Sequence, residues 1–209
     1  YSRAFMNLVK DGDPKVQMIL ANAAKTMSEG EVFQLVKTAE FSLKLEDYLK
    51  IIYSKTAVLF SACCEIGGIL GKVEEERVKN LAEFGKVVGL AFQMSDDILD
   101  YLGEPEKTGK KPGTDLNEGK MTLPLILLRD LADRDEKKKL RDIIVSESAT
   151  DEDLAYIISL MEKYDIKAKA ENFVDDYVNK SKELLKIFPE NEYRDALEFL
   201  AEYVIKRDR

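Results

Sequence analysis

Three acids share one short apolar stretch: "FQMSDDILDYLG", residues 92–103, carries Asp96, Asp97 and Asp100. On a helix, residues three and four apart share a face, so Gly89, Gln93, Asp96, Asp97 and Asp100 form one polar stripe. Val88, Phe92, Leu99 and Leu102 then supply the opposite, core-facing side. Grouped carboxylates repel one another unless a cation lies among them. They suit Mg²⁺, which takes one or two carboxylates and completes its shell with water and phosphate oxygens. The bland alternative is a solvated face on an acidic protein, and "DDILD" alone does not decide between them.

The segment that follows, "TGKKPGTDLNEGKMTLP", places Lys110, Lys111 and Lys120 directly after the acidic helix, with Gly109, Gly113 and Gly119 allowing close backbone approach to a ligand. Metal-binding acids followed by lysines make a two-part diphosphate clamp, in which a cation bridges phosphate oxygens and ammonium groups take the remaining charge. Lys55 adds a charge among Ile51, Ile52, Val58 and Leu59. It requires a partner or must snorkel to the surface.

The elements that position these residues read as helices throughout. Apolar residues recur at helical spacing, Gly (11) and Pro (5) are scarce, and no strand alternation is present, so the expected fold is all-α, a helical bundle around a central cleft. Helices are expected near residues 5–9, from Pro14 to about Glu40 with a bend at Gly30, from Leu45 to Gly71 and from Glu74 to Gly103. Further ones follow near 123–132, 136–146, 151–163, 166–187 and 192–206. Asp13, Asp151 and Asn191 are expected caps, and Pro14 opens its helix. Gly85 and Gly89 permit close packing of a neighbouring helix. The 103–120 loop is long for a compact bundle, as functional or disordered loops are. The even composition places no internal boundary, and residues 1–209 are expected to form one helical domain.

A formal net charge of −8 disfavours nucleic acid as the principal partner. The most apolar window, 51–73, is interrupted by Lys55, Glu65 and Lys72, so no membrane span is expected. Adjacent Cys63 and Cys64 point to reduced thiols and a cytoplasmic location. Histidine is absent, so any metal is expected to be a hard cation on carboxylates. The opening "YSRAFMNLV" has no initiator Met and no cap, and reads as the middle of a helix.

In order, "GLAFQMSDDILDYLG…TGKKPGTDLNEGKMTLPL" resembles the second aspartate-rich region of the trans-prenyl diphosphate synthases. "KTAVLF" (Lys55–Phe60) resembles that family's K-T element, and "MSEGEVFQLV" (Met27–Val36) the segment before it. The resemblance covers most of residues 1–130. The family's first aspartate-rich motif is absent, and the domain is expected to be N-terminally incomplete.

The resemblance implies an isoprenoid-synthase-like fold and a prenyltransferase that condenses isopentenyl diphosphate with an allylic prenyl diphosphate, with Mg²⁺ as cofactor and a homodimer as assembly. It assigns Asp96, Asp97 and Asp100 to the metal, and Lys55, Thr56, Gln93, Lys110 and Lys120 to substrate. It also leaves Asp96, Asp97 and Lys55 as the catalytic set. Gln34 is expected near the cleft or in a structural hydrogen bond, Phe92 in the cleft wall, Tyr101 in the core, and Asp115 as organiser of the lysine loop or a helix cap. Two alternatives stay open: a non-catalytic subunit of a heteromeric synthase, and a terpene cyclase.

Overall fold

The computed structural model describes residues 2–103, 112–146 and 148–206, with side chains to residue 203. Helices α1 (Ser2–Asp11) and α2 (Pro14–Val36) are joined at Asp13, whose carboxylate accepts from the Lys15 N–H at 2.8 Å as Pro14 opens α2. Then come α3 (Leu45–Ile52), α4 (Val58–Leu70), α5 (Glu75–Leu102), the single turn α6 (Thr114–Asn117), α7 (Leu123–Leu131) and α8 (Arg134–Val145). The chain continues with α9 (Asp151–Lys163), α10 (Ile166–Leu185) and α11 (Glu192–Lys206). No strand occurs among the described residues, and none of the described helices is long and apolar enough to cross a membrane.

Local capping chemistry sets several starts. Asp133 and Glu136 form a reciprocal capping box on α8, and Thr150 and Asp153 form one on α9. The α9 cap is therefore Thr150, one residue before the expected Asp151. The hydroxyl is the better-placed acceptor because the Asp153 carboxylate, three residues on, reaches back to the Thr150 N–H at 3.0 Å. Asn191 caps α11 as expected, accepting from the N–H groups of Tyr193 and Arg194.

The long helix α5 is the axis of the bundle. It packs on α4 along one side and α10 along another, and also meets α7 and α11. Its buried residues include Phe84, Val88, Ala91, Met94, Ile98 and Tyr101. The core side near the acids is thus Met94–Ile98–Tyr101, whereas Phe92, Leu99 and Leu102, expected as core, are half-buried.

The expected continuous helix from Leu45 to Gly71 is broken. Residues Tyr53–Ala57, "YSKTA", form a π-helical turn between α3 and α4. Such turns insert a residue into the helical ladder and often occur where side chains are re-aimed for function. Two glycines make room for it. A methyl group at Gly30 would lie 2.5 Å from Ser54 Cβ, and one at Gly89 would lie 2.6 Å from Ala57 Cα. Gly30 is therefore a contact point within an unbroken α2, not a bend, and α2 and α5 clamp the π turn from two sides.

Candidate active site

The clamped π turn carries Lys55 and Thr56. Thr56 donates to Gln93 Oε1 on α5 at 2.8 Å, Gln93 Nε2 donates to Asp97 Oδ1 at 2.9 Å, and the Tyr48 hydroxyl on α3 donates to Asp97 Oδ2 at 2.6 Å. This chain of hydrogen bonds crosses three helical elements and converges on one carboxylate. Asp97 is 5% exposed and Tyr48 is 2% exposed. The acidic stripe is therefore not uniformly wet, because Asp97 sits on the buried side of α5.

Burial pushes the Asp97 carboxyl up to about 7, with the nearby charges of Asp115 and Asp96 adding to the effect and the bonds from Tyr48 and Gln93 opposing it. Burial raises the Tyr48 hydroxyl well above its ordinary value too, reinforced by the Asp97 charge. Tyr48 is a site residue that motif reading missed. Its signal was in the sequence: Tyr48, Ile51, Ile52 and Lys55 have helical spacing, which puts the hydroxyl on the side of the chain that carries Lys55.

Lys55 has found partners on α2. Its Nζ lies 3.0 Å from Gln34 Oε1 and 3.7 Å from Glu31 Oε1. Gln34, Lys37, Tyr48, Lys55, Gln93, Asp97, Asp115 and Lys120 line one common pocket. Of the residues expected at the site, Lys55, Gln93, Asp97 and Lys120 therefore meet there, and Thr56 joins through Gln93. Phe92, expected in the cleft wall, is not among the residues that line this pocket; its ring lies 5.5 Å from that of Phe60.

Asp100 is engaged differently. Its Oδ2 accepts the Asp115 N–H at 3.0 Å, and its backbone carbonyl accepts the Gly113 N–H at 2.8 Å. It thus caps α6, and part of the expected 103–120 loop is a helical turn docked on the end of α5. Asp115 in turn meets Lys120 Nζ at 3.2 Å, and Lys120 also contacts Glu118. Burial opposes the Lys120 charge, but Glu118 and Asp115 leave it above its ordinary value. Burial raises the carboxyls of Asp100 and Asp115. Lys110 and Lys111 lie outside the described residues.

A second frame holds the other side of the pocket. Arg129 on α7 donates to the carbonyls of Phe41 (2.9 Å) and Leu43 (2.6 Å), and Ala39 N–H donates to Gly119 O at 2.8 Å. These bonds tie residues 37–43 to both α7 and the lysine loop.

The donor set fits a hard divalent cation of limited demand. Among the described residues no three acids are grouped to hold a metal ion by themselves. A cation here would take one or two carboxylates from Asp96 and Asp97, with the rest of its shell from water or phosphate oxygens, which is the Mg²⁺ habit.

These features define a class of all-α bundles in which a long central helix brings a buried aspartate, Asp97, into one pocket with Lys55 and Lys120. Within it, the chain belongs to the polyprenyl synthetase family, whose model matches residues 1–161. It is 34% identical over 209 residues to octaprenyl diphosphate synthase of Escherichia coli and 34% identical over 208 residues to heptaprenyl diphosphate synthase component 2 of Geobacillus stearothermophilus. It spans all of its own length and 64% of each of those relatives. Its fold matches a polyprenyl synthase of Caulobacter crescentus, solved in complex with calcium and isoprenyl diphosphate. That match has a TM-score of 0.94 and 36% identity, and covers 100% of this chain and 63% of that one. A decaprenyl diphosphate synthase of Rhodobacter capsulatus gives 0.91 at 36% identity, covering 100% and 64%.

Proposed function

We propose that this chain carries the diphosphate-binding half of a trans-prenyl diphosphate synthase, which condenses isopentenyl diphosphate with an allylic prenyl diphosphate. The observation that supports this most directly is the pocket shared by Lys55, Gln93, Asp97 and Lys120, in a chain of this family. Lys55 and Lys120 take up charge on the allylic diphosphate as its carbon–oxygen bond breaks, with Lys110 as a further cation. Asp96 and Asp97 would hold a divalent cation, Mg²⁺, which would supply additional neutralisation of that leaving group. The double bond of isopentenyl diphosphate attacks the allylic carbon, and the released diphosphate takes a proton from the resulting cation to restore an alkene. Gln93 and Thr56 hold the polar wall, and the apolar lining, Leu43, Ile51, Ile52 and Met121, shields the carbocation from water.

Residues 1–209 act as one helical domain in this reading, and free Cys63 and Cys64 fit a cytoplasmic protein. A homodimer is proposed through α1 and α2, which expose Phe5, Met6, Val9, Met18, Val32, Leu35 and Val36; Leu35 is 72% exposed. The name of the Geobacillus relative, a "component 2", favours a second reading in which the face meets a different subunit. Sedimentation of the purified protein, alone and as Leu35→Glu, distinguishes these. A monomer unaffected by the substitution overturns the homodimer.

Elongation assays test the main reading. Asp96→Asn keeps the side-chain shape but removes charge that is worth most as the bond breaks. Turnover is expected to fall about 10²–10³-fold, while Lys111→Ala, next to the family-matching Lys110, loses much less. An Asp96→Asn variant with wild-type turnover refutes the assignment of the acidic stripe.

A further inference from the structure

We propose that Tyr48 is a positioning residue for the metal-binding carboxylate, fixing Asp97 in the orientation that presents its remaining lone pairs to the cation. The inference rests on the reading of Asp97 as a metal ligand and adds a residue to it. Tyr48 comes from α3, before the π turn and far in sequence from the aspartates, yet its hydroxyl makes the shortest side-chain contact of Asp97, at 2.6 Å.

The geometry leaves little freedom. Each carboxylate oxygen of Asp97 accepts one hydrogen bond, Oδ2 from Tyr48 and Oδ1 from Gln93 at 2.9 Å. A carboxylate has about four acceptor positions, so two remain, and the two donors fix the plane in which they lie. Gln93 cannot do this alone. It stands one helical turn from Asp97 on the same helix and moves with it. Tyr48 is anchored separately, its ring buried beside Ile51 and Ile52. It therefore references the Asp97 carboxylate to α3 and the Lys55 turn, the other side of the pocket. A residue that served the core only would need its ring and no hydroxyl. A fully buried phenol requires a partner, and the hydroxyl here donates to the Asp97 carboxyl at the site.

The loss of an outer partner of a metal ligand typically weakens metal affinity about 10–100-fold. Tyr48→Phe removes only the hydroxyl oxygen. Binding of Mn²⁺ in the presence of inorganic diphosphate, followed by electron paramagnetic resonance on the full chain, reads the effect without turnover. The expected result is Mn²⁺ affinity weakened about 10–100-fold, with the metal concentration for half-maximal elongation raised similarly and kcat at saturating metal much less affected. A Tyr48→Phe protein that melts like the parent yet binds Mn²⁺ as tightly overturns the proposal. In that case Asp97→Asn, if it still weakens binding, leaves the metal reading standing. If Asp97→Asn also binds Mn²⁺ like the parent, the metal reading falls and the proposal with it. Should Tyr48→Phe fold poorly, 3-fluorotyrosine in the parent gives a second measurement. The fluorine resonance assigned to Tyr48 must shift on Mg²⁺-diphosphate addition, and a resonance that stays fixed overturns the proposal.

Discussion

Replacing Asp97 with Asn should make the metal-free protein more stable at alkaline pH while impairing its site. Asp97 is nearly fully buried and its carboxyl is pushed up to about 7, first by burial and then by the Asp115 charge. In the unfolded chain an aspartate titrates near ~3.9. A folded-state value above the unfolded one means that the folded protein holds its proton more tightly. The resulting stability is fully present below about 4 and is lost as pH rises toward 7. At ~1.4 kcal/mol per tenfold, the loss on ionising Asp97 is about 4 kcal/mol. Asparagine never ionises, so it avoids that loss. Its oxygen can still accept from Tyr48, but its amide nitrogen faces Gln93 Nε2, and the Gln93 amide must turn over, disturbing the Thr56 bond at a cost of about 1 kcal/mol. The net expectation is a gain of about 3 kcal/mol at pH 8 and almost no difference near pH 4.5. Urea unfolding of parent and variant, in chelator and from pH 4.5 to 8.5, measures the difference directly, and pH effects of other groups cancel in it. A stability difference that stays flat across this range, or that favours the parent at pH 8, refutes the reasoning.

Two further substitutions probe the scaffold. Gly30→Ala puts a methyl 2.5 Å from Ser54 Cβ, so α2 or the π turn must shift. It should cost about 1–3 kcal/mol in urea melts, and it should impair diphosphate binding beyond the loss of stability, because Lys55 rides on the displaced turn. Unchanged melts would mean that the contact gives way freely. Arg129→Met strips the donors from the Phe41 and Leu43 carbonyls. A loss of about 1–3 kcal/mol is expected, with faster amide exchange concentrated in residues 37–43; faster exchange spread evenly over the chain would argue against a local strap.

The helices were legible because their signals are local. Apolar spacing, Pro14 after Asp13, and Asn191 before α11 are read from a few neighbouring residues, and the structure has helices at each place. The π turn was not legible, because its cause is distant. "YSKTA" continues the helical pattern, and only Gly30 on α2 and Gly89 on α5, pressing from two sides, explain where the ladder opens. Gly30 was visible, but its role depends on a neighbour that spacing cannot supply.

The same distinction runs through the site. Side-chain spacing singled out the acids, and their ordered relation to the lysines carried the resemblance to the family, since a motif records which groups occur together. It does not record how each group is oriented. Asp96, Asp97 and Asp100 look equivalent on a helical wheel. In the fold Asp97 is buried and held by Tyr48 and Gln93, and Asp100 caps α6. That division is imposed by α3 and by the docking of residues 113–115, contacts made across 49 and 15 residues of sequence. A carboxylate's task here is fixed by the donor that reaches it, and in the case of Asp97 that donor is carried by a helix on the opposite side of the pocket.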